Sequence, residues 1–233
     1  MNVDVNGVCC EQQQQDNKMK PREEVPNGHR MDIDKYSRPS EDIDPKYQAK
    51  SFSRNFHKSI EKDLQEAWPM IKSALDQYNI LCSLDLARGY MIIVVIMNTD
   101  PYIIIRARNL LHLLSIGVPA SQALEVLNGK ICDIIDVGFK RNGLCSKFGI
   151  QKDQYVERRH LLCGSLQAMA DLTATQIFLL GEVVAAIGGS SLGLNIFRKI
   201  VEDCIVHKVP PAYHIKNFKM RKQVMKDLEA MRL

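Results

Sequence analysis

IFLLGEVVAAIGGSSLGLNIFRKIVEDCIVH, residues 177–207, decides the fold. Ile177 to Leu180 and Val183 to Ile187 are apolar runs around Gly181-Glu182, a hairpin signal. Gly188 to Ser191 leads into a helix that reaches about His207. Leu194, Phe197, Ile200, Val201, Cys204 and Ile205 fall on one side of it. Two strands followed by a one-sided helix form a layered unit, with the helix covering the sheet.

Upstream, Leu166, Met169, Ala170 and Thr173 mark one face of a short helix. Before it stands a tight connection, Cys163-Gly164-Ser165, and a helical stretch from Lys152 to Leu162. Gly138 to Gln151 reads as a loop with Gly143, Gly149 and the basic Lys140, Arg141 and Lys147. Ile131 to Val137 (ICDIIDV) is strand-like. Residues 131–207 therefore run strand, helix, helix, strand, strand, helix.

A first unit begins near Ser59. Ile60, Leu64, Ala67, Trp68, Ile71, Ala74, Leu75 and Tyr78 recur at helical spacing, with Pro69 as a kink or a break. Ile80 to Leu86 and Tyr90 to Met97 are strand-like, joined by Ala87-Arg88-Gly89. Asp100 is placed to cap a helix with Pro101 at its first position. That helix runs to about Ser115, and Gly117 stops it. Val118-Pro119 opens a short helix ended by Asn128-Gly129. Each unit is expected to bury one apolar sheet face under its helices.

Residues 1–58 are polar and mixed in charge, too poor in apolar positions to offset their ordering entropy. They are expected to be a flexible arm, with short docking pieces around Ile33 to Tyr36 and Ser51 to Phe56. The 233 residues are 45% apolar and 25% charged, which excludes collagen-like and wholly disordered classes. Seven cysteines without a CxxC speak against structural zinc and fit a reducing compartment. No run approaches the roughly 20 apolar residues of a membrane span, and the first ten residues do not read as a secretory signal. An intracellular, soluble chain is expected. The net charge of +4 is concentrated: residues 208–233 carry +5 and the remainder −1.

The element order over 131–207 is that of a KH domain, and the resemblance goes further. DPYIIIRAR (Asp100 to Arg108), CDII with its following glycine (Cys132 to Gly138), IVEDC (Ile200 to Cys204) and YHIK (Tyr213 to Lys216) resemble, in series, the KRR-type small-subunit processome component. Trp68-Pro69 followed by Ala74-Leu75 agrees in order and spacing. The resemblance implies an α+β protein of two tandem KH-like modules: arm 1–58, first module 59–130, second module 131–209 and a basic, partly helical tail 210–233. It implies a nucleolar, non-enzymatic factor that binds precursor ribosomal RNA and other processome proteins during 40S assembly. The first module would serve protein contacts and the second RNA. No cofactor, metal, membrane or small-molecule substrate is expected.

The sequence departs from that family where RNA would be held. A KH domain grips single strands through a GXXG loop between two helices. Here the stretch is Leu161-Leu162-Cys163-Gly164-Ser165-Leu166, with one glycine and about four residues fewer. The Lys-Arg-Arg that names the family reads Glu157-Arg158-Arg159, and Gly143 to Ile150 resembles an insertion. The family's longer lysine-rich C-terminus is missing, so the chain resembles a divergent or truncated member. An alternative follows: a degenerate KH scaffold that no longer binds RNA.

Each candidate residue has two readings. Lys152, Arg158 and Arg159 either contact phosphates at the mouth of the groove or form a solvated helix face. Gly164 and Ser165 either present a helix N-terminus to a phosphate or form an ordinary break with Ser165 as cap. Arg106 and Arg108 are a protein-interaction patch or another solvated face. Arg198 and Lys199 precede Glu202 and Asp203 by four residues, so intrahelical pairing is the simpler account. Gly188-Gly189-Ser190-Ser191 lacks the lysine of a phosphate loop and reads as a hairpin exit with a serine cap. In the tail, Lys216, Lys219, Arg221, Lys222 and Lys226 mix with Tyr213, His214 and Phe218. Cations and aromatic faces together suit single-stranded RNA; the competing reading is a solvated helix. Catalysis finds little support. HExxH and GxSxG are absent, and His160 with Cys163 is a thin basis for a thiol–imidazole pair.

Overall fold

The computed structural model describes residues 49–96 and 99–231, less the side chains of 222, 225, 226, 228 and 229. The expected docking piece around Ile33 to Tyr36, and the rest of the arm over 1–48, lie outside the described residues.

The first module runs β1 (Ala49–Asn55), α1 (Glu61–Asp76), β2 (Leu81–Asp85), β3 (Tyr90–Ile96), α2 (Pro101–Ile116) and the single turn α3 (Ala120–Ala123). Its antiparallel sheet has the order β1-β3-β2. Strand β1 corrects the expected extent of the arm. Ala49 pairs with Ile96 and Asn55 with Tyr90, so all seven residues join the ladder. The docking piece expected around Ser51 to Phe56 falls on this strand, but composition did not show it as a strand because Phe52 alone is even half-buried. This edge strand is held through its backbone by β3, whose Met91, Ile93 and Val95 are buried. Pro69 neither splits nor ends α1, which is anchored by buried Leu64, Ile71 and Leu75 on both sides of it. The α2 boundaries follow the sequence: Asp100 Oδ1 accepts from the Tyr102 amide at 2.8 Å, and Gly117 closes the helix at φ 98°.

The second module runs β4 (Cys132–Asp136), α4 (Leu144–Phe148), α5 (Lys152–Cys163), α6 (Leu166–Thr173), β5 (Thr175–Leu180), β6 (Val183–Gly188) and α7 (Ser191–His207). Its sheet order is β4-β6-β5, again antiparallel. Helix α4 interrupts the expected loop. Leu144 and Cys145 are buried beneath it, and Gly149 ends it in a left-handed turn at φ 64°. Helix α8 (Pro211–Ala230) follows and packs on α6 and α7, so the expected tail begins as part of this module.

Every residue of β6 is buried, which departs from one covered face per sheet. Val184 and Ala186 join Ile135, Leu179, Phe197 and Ile200 in the module's own core. Ala185 and Ile187 point the other way, into the core of the first module with Leu110, Leu114 and Leu127. Alanine at 185 and 186 keeps the central strand thin enough for close packing on both faces. A sheet buried on both faces reads as a continuous apolar run, which is what VVAAI is.

Candidate nucleic-acid interface

The connection where a clamp would lie is closed. Gly164 follows α5 in right-handed helical conformation at φ −66°, a geometry that needs no glycine. Its amide donates to the His160 carbonyl at 3.1 Å, and the Ser165 amide donates to Leu162 at 3.0 Å. Ser165 takes the N-cap position of α6 without capping it; its Oγ donates backward to the Leu161 carbonyl at 3.2 Å. The two residues continue the helical hydrogen bonding instead of opening a backbone cradle.

Arg158 reaches the end of α7. Its Nη1 donates to the carbonyls of Ile205 at 2.5 Å and Val206 at 3.3 Å, in the last turn of α7. A cation there complements the helix dipole and the unpaired carbonyls. Arg159 is half-buried beside the Tyr155 hydroxyl. Burial pushes that hydroxyl's pKa up to about 12, so it stays protonated and donates to the Gly181 carbonyl at 3.4 Å. Lys152 is exposed in the first turn of α5 and far along the helix from these arginines. Glu157, which replaces the first basic residue of the family's triplet, pairs with Lys208 at 2.9 Å. Of the three candidate cations of α5, Lys152 is exposed and Arg158 and Arg159 are half-buried.

Helix α8 places its cations differently. Pro211, His214, Ile215 and Phe218 recur at helical spacing and form its inner face, with Pro211 and Ile215 buried. Lys216, Lys219 and Arg221 are exposed, and among the described residues none makes an ion pair. The Lys222 side chain lies outside the described ones. Between α7 and α8 opens a cleft of about 190 Å³ lined by Lys199, Tyr213, His214, Asn217, Phe218 and Arg221.

Lys199 lines this cleft without its expected partner. Asp203 Oδ2 lies 3.1 Å from His214 Nε2, though out of line for a hydrogen bond. The other pairing forms as expected, Arg198 to Glu202 at 3.2 Å. Arg198 also grips Asp133 of β4 with two nitrogens. Sequence reasoning missed Lys199 and Asn217 as interface residues, since their place depends on how α8 docks, which no local pattern reveals.

The remaining candidates, Arg106 and Arg108, lie on α2. Arg108 lies over the Phe52 ring, 4.9 Å from its centre, a cation–π contact that ties α2 to β1. Arg106 packs its guanidinium beside Gly129. Gly189 and Gly193 bring their backbones against Thr173; a methyl group on either would stand 2.7 or 2.5 Å from its carbonyl oxygen. The glycine–serine run is thus a packing device, with Ser190 Oγ capping the Gly193 amide at 3.0 Å. Among the described residues no group of three metal-ligating side chains occurs, and no helix is long and apolar enough to cross a membrane.

Apart from the added short α4, residues 132–207 run strand–helix–helix–strand–strand–helix with sheet order β4-β6-β5, the order of a KH domain; the first module repeats it with one continuous helix in place of two. The chain is thus a tandem KH protein. It belongs to the KRR1 small subunit processome component family. A family model described as the Krr1 KH1 domain matches residues 50–129. The model for the second KH domain of the KRR1 small subunit processome component matches residues 130–226. Solved structures share the fold. A protein of unknown function from Aeropyrum pernix superposes with a TM-score of 0.61 at 12% identity, covering 79% of this chain and 97% of that one. A chain of the a/eIF2alpha–aDim2p–rRNA complex from Pyrococcus horikoshii gives 0.58 at 17%, covering 75% and 95%. Dim2p from the same organism gives 0.57 at 16%, covering 73% and 99%.

Proposed function

We propose that this chain is a non-enzymatic assembly factor of the small ribosomal subunit that binds precursor ribosomal RNA and other processome proteins in the nucleolus. The match of both modules, in order, to the KRR1 family carries this reading. A structural relative with the same fold comes from a complex that contains rRNA. The unpaired cations of α8 supply the electrostatic attraction that phosphate binding requires. In this reading RNA contact has moved from the lost clamp to the α7–α8 side of the module, around Lys216, Lys219 and Arg221. Crosslinking in cells followed by sequencing of the bound RNA tests it. Reads concentrated in small-subunit precursor RNA are expected, and their absence would contradict the proposal.

One observation favours a second reading, a KH scaffold without RNA binding: the α5–α6 connection is closed by its own hydrogen bonds. Filter binding at low salt separates the two. Retained RNA selects the first; no retention, with processome proteins still co-purifying, selects the second.

A further inference from the structure

We propose that the cleft between α7 and α8 is a base-binding subsite for single-stranded RNA, separate from the groove that a KH clamp would serve. The inference rests on the RNA-binding reading above and gives it a location.

Four observations converge on this cleft. First, its size is that of a subsite. At about 190 Å³ it is smaller than the roughly 300–1,000 Å³ of a typical small-molecule pocket, so it suits one base of a longer strand. Second, cations stand on both walls, Lys199 from α7 and Arg221 from α8. Glu202 is engaged with Arg198, and the one carboxylate near the cleft, Asp203, turns to His214 and pairs with neither cation.

Third, the cleft has aromatic faces. Tyr213 is 59% exposed, so one face of its ring is free to stack. His214 meets it edge to face at 5.5 Å between centres, which steadies the Tyr213 ring. Phe218 lines the same cleft and is half-buried. Base–aromatic stacking tolerates any sequence because every base has a π-face. Fourth, Asn217 stands among them with both a donor and an acceptor, the equipment for a base edge. Residues 213, 214, 217, 218 and 221 form one stripe along α8, so docking this helix builds the site in a single step.

The test is fluorescence anisotropy with the full chain, using a labelled single-stranded oligouridylate and an abasic oligomer of equal length. Tyr213→Leu removes the exposed ring without touching the core, and Phe218→Leu keeps apolar volume while removing the second. Thermal melts confirm that each variant remains folded. Tyr213→Leu is expected to weaken oligouridylate binding about tenfold or more. The abasic oligomer is expected to bind wild type more weakly and not to distinguish it from Tyr213→Leu. If wild type binds both oligomers equally and neither substitution matters, the subsite is overturned while RNA binding stands. If wild type binds neither, the functional reading fails and takes the subsite with it.

Discussion

Arg158 Nη1 donates to the Ile205 carbonyl at 2.5 Å, so a side chain from α5 closes the end of α7. The last carbonyls of a helix have no partners of their own, and Arg158 also reaches Val206. Arg158→Ala is expected to cost about 1–3 kcal/mol, read as a lower urea midpoint. Arg158→Lys recovers part of this, because an ammonium lacks the guanidinium fork. Full stability of Arg158→Ala combined with lost RNA binding would return this residue to the interface.

Gly193 stands where a β-carbon would lie 2.5 Å from the Thr173 carbonyl oxygen. Thr173 cannot yield cheaply, since its hydroxyl donates to the Met169 carbonyl at 2.7 Å and shares a hydrogen bond with Thr175. Gly193→Ala is expected to destabilise by about 1–3 kcal/mol through overpacking. Gly149→Ala meets no neighbour within 4 Å and isolates the backbone penalty of a positive φ, expected at about 1 kcal/mol. Equal midpoints for Gly193→Ala and wild type would rule out the close contact.

Burial lowers the pKa of His112 from 6.5, and Arg54 and Lys140 lower it further, against a pull upward from Asp136. The folded chain therefore takes up this proton less readily than the unfolded chain. Stability rises with pH where the unfolded state holds more protons, so acid should weaken the fold from about pH 6.5 down through the lowered value. Below both values the loss is complete. His112→Gln is expected to flatten this part of the profile, measured as melting temperature between pH 7.5 and 5. An unchanged profile would exclude His112 as the titrating group.

Burial pushes the thiols of Cys132 and Cys204 up to about 11. Cys204 is fully buried and directs its Sγ to the Arg158 carbonyl at 3.6 Å. Only a thiolate alkylates quickly. At pH 8 both residues are expected to resist iodoacetamide in the native chain and to react after urea. Rapid native labelling of Cys204, seen by peptide mass spectrometry, would contradict the packing.

The sequence made most of the architecture readable because apolar residues at period two or three and four must face a core. VVAAI and the α7 stripe are the strongest cases. Strand β1 was hidden because its stability comes from the backbone of β3 rather than from its own side chains. The site was less legible. A basic residue reads the same whether it meets phosphate or a helix end, and Arg158 went to the helix end. Lys199 read as half of an ion pair because nothing local says that Asp203 will instead meet His214.

Salt dependence tests the central claim most directly: RNA is held by the unpaired cations of α8 and not by a clamp. For single strands, log K falls with log salt at about −0.7 per phosphate neutralised. Anisotropy titrations from low to moderate salt are expected to give a steep slope for wild type. Lys216→Gln with Lys219→Gln should make it shallower by about 1.4. A slope unaffected by these substitutions, or no RNA binding at the lowest salt, would contradict the account.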